Sequence, residues 1–242
     1  MSWDSTESAR RYDQWARTSQ GVFALRQEEH LLQGLIAPWP RRKQKLLDIG
    51  CGAGLFLDFF WSCGFDLTGL DQNPDLLARA RDKMGGRVDL HLGRADHLPF
   101  DDREFDYASI MTVLEFMDDP GAVLREAARV ARKGILITFL NRSSLHGWSA
   151  RLSSKTSFPA PARWFTWTGM RQLLQKNIPA GFIQARSILL GPAATWKPIP
   201  LIWRLNSLPL FPSLGALTAV RVDMTPPRAQ TPLMAWNTEP TM

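Results

Sequence analysis

Cysteine is scarce, with only Cys51 and Cys63 in 242 residues. Two thiols give neither a disulfide framework nor a zinc-ligand spacing. At opposite ends of one expected helix they also stand too far apart to bridge. Any run of transmembrane length free of charge and proline is missing as well. The opening Met-Ser-Trp-Asp-Ser-Thr-Glu lacks the basic-then-apolar order of a secretory signal. These absences point to a reduced, cytoplasmic chain. Acidic residues are absent from one long span, between Glu126 and Asp223. That span carries cations from Arg129 to Arg221 together with Trp148, Trp164, Trp167, Trp196 and Trp203, so the formal net charge of +6 is gathered there. A basic, tryptophan-rich surface suits an anionic membrane face, an anionic amphiphile or nucleic acid. Tryptophans in the core beneath a solvated basic surface are the plainer alternative. The proline-rich stretch Trp196 to Pro212 is too broken to cross a bilayer, but it can lie on one or line an apolar pocket.

What is present supports one sizeable core, since 45% of the residues are hydrophobic. The chain is organised around Leu46-Leu47-Asp48-Ile49-Gly50-Cys51-Gly52-Ala53-Gly54. A short apolar run bounded by glycine reads as a buried strand. The glycines allow a tight turn whose N–H groups can approach a ligand, and the helix that follows, over Leu55 to Cys63 with a stop at Gly64, points its positive end at the same place. The spacing is G-x-G-x-G, with Leu55 standing where the G-x-G-x-x-G dinucleotide fingerprint would have its third glycine. Asp48 would repel a pyrophosphate but suits an ammonium or sulfonium. About twenty residues on, Asp71 ends a second apolar run, where a doubly wound sheet holds a ribose hydroxyl pair. The ligand should therefore combine a ribose, a carboxylate and a cationic group.

Further strands are expected over Val88 to Leu92, Phe105 to Ile110 and Ile135 to Phe139. Asn73-Pro74-Asp75 and Asp119-Pro120 would open helices, closed by Gly85-Gly86 and Gly134. Ser5 to Pro38 reads as helical, and Thr168 as the cap of a helix over Met170 to Lys176. Strands over Ile183 to Leu190 and Leu214 to Val222 would complete a seven-stranded, mostly parallel, doubly wound α/β sheet with right-handed crossovers.

Asp48-Ile49-Gly50-Cys51-Gly52-Ala53-Gly54 followed by Asp71 resembles the first two motifs of class I, Rossmann-like S-adenosylmethionine (SAM)-dependent methyltransferases. Gly93-Arg94-Ala95-Asp96-His97-Leu98-Pro99-Phe100 and Phe105-Asp106-Tyr107, running to Met111-Thr112-Val113-Leu114-Glu115, resemble the next two. The pattern is most similar to the small-molecule, methyltransferase type 11 group. The resemblance implies an antiparallel last strand, an N-terminal helical cap over 1–40, a SAM-binding core over 41–140 and a lid over 141–182. It also implies a closing hairpin with a proline-rich insertion over 183–222, leaving 223–242 as a tail.

The resemblance also implies roles. Gly50, Cys51, Gly52 and Gly54 would present backbone to the methionyl end, with Asp48 organising that loop near the ammonium. Asp71 would take the ribose hydroxyls, with Gln72 beside the adenine, Asp96 at its amino group and His97 either packed on it or exposed. Met111 and Thr112 would offer backbone near the methionyl end, and Leu114 would line the methyl channel. Tyr12, in a Tyr12-Asp13-x-Trp15 segment, would fold over the cofactor or simply pack, and packing is favoured for Trp15. The family often has Leu-Glu-His where this chain has Leu114-Glu115-Phe116, so one candidate for proton handling is lost. His146 and Tyr12 remain as candidate bases, although an exposed loop position would suit His146 as well. The strand end lacks the Asn/Asp-Pro-Pro-aromatic tetrad of amino-directed nucleic-acid methyltransferases, and no Pro-Cys nucleophile is present, so no DNA substrate is expected. The function expected is transfer of the SAM methyl group to a small, amphiphilic or anionic acceptor, leaving S-adenosylhomocysteine (SAH), by a monomer or dimer. An RNA or protein methyltransferase and a non-catalytic SAM-binding protein are the alternatives.

Overall fold

The computed structural model describes residues 14–152, 163–178, 181–197 and 200–224. Five parallel strands come first: β1 (Lys45–Ile49), β2 (Asp66–Asp71), β3 (Asp89–Leu92), β4 (Phe105–Met111) and β5 (Ala131–Leu140). β7 (Leu217–Asp223) runs antiparallel to both β5 and β6 (Phe182–Ile188), forming the closing hairpin. The sheet order is β3-β2-β1-β4-β5-β7-β6. The order reverses between β1 and β4, and in an open α/β sheet that reversal leaves a crevice beyond the carboxyl ends of the strands.

Helices cover both faces because successive strand side chains point to opposite sides. Leu46 and Tyr107 join a core with α1 (Ser19–Ile36), α2 (Leu57–Ser62) and α3 (Pro74–Met84). Leu47 and Ala108 face the other way, toward α4 (Pro120–Val130) and α6 (Trp167–Asn177). Full burial of a side chain such as Leu57 or Phe60 contributes about 1.5–3 kcal/mol. Caps set the helix starts. Asn73 accepts from the N–H groups of Asp75 and Leu76, and Asp119 from those of Gly121 and Ala122, each followed by proline at the first helical position.

Several expected boundaries move. Trp15 is buried against the α1 side, as packing would have it, and Thr18 caps α1 by accepting from Gly21 N–H. Thr166, not Thr168, caps α6, because its hydroxyl reaches the N–H of Gly169. β6 stops at Ile188, since Leu189 takes a left-handed φ of 63° and donates its N–H to Asn206 instead. Gly134 does not close α4. That helix ends at Val130 and β5 begins at once, with Gly134 paired opposite Asp223 inside the sheet. The glycine is needed for a packing reason, as a Cβ there would stand 2.8 Å from the Val222 carbonyl oxygen and 2.9 Å from the Trp39 ring. Trp39 cannot give way easily, because its ring stacks on Tyr107 at 4.1 Å and its indole N–H donates to Asp223 at 2.7 Å.

Gly134→Ala should therefore lower stability by about 1–3 kcal/mol, the usual range for overpacking. Gly86→Ala, where a Cβ meets nothing within 4 Å, should change it by less than ~0.5 kcal/mol. Urea unfolding of the two variants beside the wild type checks the contrast, and equal effects would remove the packing explanation.

Candidate functional site

β1 delivers the chain to the crevice, and the glycine turn follows. Gly50, Gly52 and Gly54 take φ values of 74°, 54° and 77°, a region closed to most side chains. They are glycine for different reasons. A Cβ at Gly50 would sit 2.6 Å from the Val113 side chain, and one at Gly54 would press on Leu57 and Ala80 at 3.2 and 3.3 Å. At Gly52 the nearest neighbour, Leu76, is 4.0 Å away, so this position leaves space beside the backbone. Pinning comes from β2, whose Leu70 carbonyl accepts the N–H groups of Gly50 and Cys51. The Asp71 carboxylate accepts from Gly52 N–H through one oxygen and from Asn73 N–H through the other, both at 2.9 Å. Burial raises its pKa, and the N–H groups of Asn73 and Gly52 oppose that. Gln72 is exposed beside it.

Asp48 lies under the turn, 2% exposed, and accepts the Ser109 hydroxyl at 2.7 Å. Burial pushes its pKa up to about 7, Ser109 works against the rise and Asp71 adds to it. Its side chain is tied to β4 and is too buried to line the crevice. Cys51 is buried, and burial raises its thiol pKa, so the backbone of this residue is what it offers. An open turn of backbone N–H groups suits a ligand carboxylate, and the carboxylate at the next strand end suits a ribose hydroxyl pair.

The β4 end forms the far wall. Met111 and Thr112 are buried there, and Thr112 holds a φ of 53°, costly for a β-branched residue. Its N–H donates to the Thr138 carbonyl at 3.1 Å, and the two hydroxyls meet at 3.2 Å. The expectation for Leu114 is corrected, because its side chain is fully buried in the α4-side core and lines no channel.

Asp96 is held by Arg94 through two bonds of 2.9 and 2.6 Å, and the guanidinium lowers its pKa. An adenine amino group would have to share that carboxylate. His97 is exposed, as the second of its two readings had it. Tyr12 lies outside the described residues. His146 is not an exposed loop residue: it sits in the first turn of α5 (Leu145–Leu152), 9% exposed, with ring centroids of Trp196 and Trp164 at 4.8 and 5.7 Å. Burial holds its pKa down to about 4, and Nδ1 has no partner. An imidazole so placed is neutral at pH 7.

Two residues were missed by the sequence reading. Glu28 and Glu115 are 5% and 3% exposed, and each leaves one carboxyl oxygen without a hydrogen bond. A signal was available for Glu28. It stands within the apolar stripe of α1, with Ala24, Leu31, Leu32 and Leu35, where a solvated acid has no place.

Residues 47–139 match the model of the methyltransferase domain family. Over 109 residues the chain is 35% identical to a ubiquinone biosynthesis O-methyltransferase of Azorhizobium caulinodans, covering 43% of each chain. Over 142 residues it is 32% identical to an uncharacterized protein of Methanocaldococcus jannaschii, covering 57% of this chain and 62% of that one. The chain thus spans about half the length of the curated relatives it matches. Among solved structures, a SAM-dependent methyltransferase of Thermotoga maritima, a possible histamine N-methyltransferase, superposes with a TM-score of 0.71 at 22% identity, over 90% of this chain and 97% of that one. The magnesium protoporphyrin IX methyltransferase of Synechocystis with bound SAH gives 0.66 at 14% identity, over 92% and 96%. Residues 47–139 thus match the methyltransferase domain family, and the fold around them is that of the class I, Rossmann-like SAM-dependent methyltransferases.

Proposed function

We propose that this protein transfers the methyl group of SAM to a small acceptor that is amphiphilic or anionic. The observation that carries the reading is the Asp71 carboxylate, fixed between the N–H groups of Gly52 and Asn73 at the switch in strand order. There it can meet a ribose while the turn beside it meets the methionyl end. SAM supplies an activated methyl group when bound, so the work left to the chain is positioning and exclusion of water. Good alignment of this kind can lower a barrier by up to ~7–11 kcal/mol. Gly50, Gly52 and Gly54 hold the turn, Asp48 supports it, and Thr112 fixes the β4 end.

The acceptor class rests on the surface of the C-terminal half and on the relatives. Trp148 and Phe211 are 63% and 78% exposed, with Leu145, Leu205, Leu208 and Leu214 also outside. Asn141 donates to the carbonyls of Pro212 and Gly215, which holds the 208–214 strap beside the start of α5. Arg142, Arg163 and Arg204 are exposed in the same half. Apolar side chains among cations match an anionic lipid surface. Not all the tryptophans serve it, since Trp196 is buried. No helix among the described residues is long and apolar enough to cross a membrane, so the contact proposed is peripheral, from the cytoplasmic side. Among the relatives is a phosphatidylethanolamine N-methyltransferase of Cereibacter sphaeroides, 33% identical over 122 residues, covering 45% of this chain and 60% of that one.

SAH should bind with micromolar affinity by calorimetry, and Asp71→Ala should weaken it tenfold or more, about 1.4 kcal/mol. NADH should give no heat, and failure of SAH to bind would sink the methyltransferase reading. On vesicles of phosphatidylcholine with phosphatidylglycerol, the protein should co-sediment at low salt and detach as salt rises. The Trp148→Ser, Phe211→Ser double variant should bind several-fold less. Equal binding to RNA, with a steep salt slope and no response to that double variant, would favour a nucleic-acid acceptor.

A further inference from the structure

Glu28 projects from α1 and Glu115 from the turn that follows β4, and both carboxyls arrive at the carboxyl end of β5. One Glu115 oxygen accepts the Leu140 N–H at 2.6 Å, and the other has no partner. The Thr138 hydroxyl and the charge of Glu115 both act on Glu28, whose own Oε1 has no partner. Thr138 in turn touches Thr112 and the Met111 sulfur, the residues that form the β4 wall of the crevice. Among the described residues a third buried polar atom, His146 Nδ1, also has no partner. Its ring faces Trp164, and the preceding residue, Arg163, donates its N–H to the Glu115 carbonyl oxygen at 2.9 Å. Buried polar atoms without partners are costly and few in folded proteins, and such groups held at a site mark a function.

We propose that Glu28 and Glu115 act as a pair of neighbouring buried carboxyls, one of which receives the proton of a hydroxyl-bearing methyl acceptor. The proposal rests on the methyltransferase reading and adds the acceptor atom and its base. In the step implied, the acceptor oxygen bonds to the methyl carbon as the carbon–sulfur bond breaks, and that electron pair stays on sulfur. The hydroxyl proton passes to the ionised carboxyl of the pair, so the sulfonium charge and the carboxylate charge vanish together. Two carboxyls suit this role better than one. Burial raises both pKa values to about 8, and for Glu28 the charges of Glu115 and Glu29 add to the rise while Thr138 opposes it. For Glu115 the N–H of Leu140 opposes it. Among the described groups acting on the pair, the charged ones are these three glutamates, and none is a cation. A base with a pKa near the working pH is the effective kind.

The first arm of the test needs no acceptor. A carboxyl that stays protonated in the folded chain at pH values where an unfolded glutamate is ionised makes the folded state bind more protons, so stability falls as pH rises from about 4.5 to about 8. The melting temperature of the SAH complex should fall across that window. It should fall less in Glu28→Gln and Glu115→Gln, and an unchanged slope in the double variant overturns the pair. The second arm uses tritiated-methyl SAM with 4-dodecylcatechol and dodecylamine in mixed micelles. The catechol should be methylated, with kcat rising toward pH 8. Glu115→Gln should lose 10²-fold or more in kcat, within the range for general-base catalysis, while SAH affinity stays within twofold. Glu115→Asp should restore part of the loss. Loss below threefold in Glu115→Gln overturns the proposal. So does transfer to the amine alone, or to neither probe, while SAH still binds. Absence of SAH binding would instead count against the methyltransferase reading beneath it.

Discussion

The Asp71 carboxylate is the contact on which the crevice depends. Its two oxygens take N–H groups from either side of the gap between β1 and β2, one from the glycine turn and one from the loop leading into α3. Charge-assisted bonds of this kind are stronger than neutral ones. They fix the turn in a conformation that three positive-φ glycines make accessible but do not by themselves select. Leu70 does the same with its carbonyl from below. The result is a backbone surface presented in one shape before any ligand arrives, which is what catalysis by positioning requires.

On the opposite side of the crevice the chain follows a different logic. The end of β4 is polar and dry at once, with Thr112, Thr138, Glu115 and Glu28 all buried and only some of their hydrogen-bonding atoms paired. A fold under selection for stability alone would place apolar residues here, since an uncompensated buried carboxyl costs several kcal/mol. Glu28 is the clearer departure, because apart from Gln27 the buried face of α1 is apolar or glycine. Thr112 adds backbone cost at the same point. Departures that share one location are the usual mark of a site.

The C-terminal half connects that wall to the outside. α5 starts at the end of β5, carries His146 inward between Trp164 and Trp196, and turns Leu145 and Trp148 outward. One short helix therefore turns apolar side chains to the surroundings while His146 on its other side packs on Trp164 and Trp196.

Much of this was legible in residue order. The apolar runs, the proline-led caps and the glycine spacing determined five of the strands, their parallel sense and the crevice where Asp71 and Gly52 meet, because these are local signals of chain geometry. Boundaries moved where a distant group intervened, as Gly134 did when Trp39 and Val222 left no room for a Cβ. Leu114 was misplaced for a related reason: position along β4 is visible in the sequence, but which face a residue takes in the turn after the strand is not. Tertiary structure alone decided the rest. It withdrew His146 from water, tied Asp96 to Arg94, and brought Glu28 and Glu115 together from 87 positions apart in the numbering. Proximity between residues so distant in sequence is created only when α1 docks against the sheet, and no local pattern announces it.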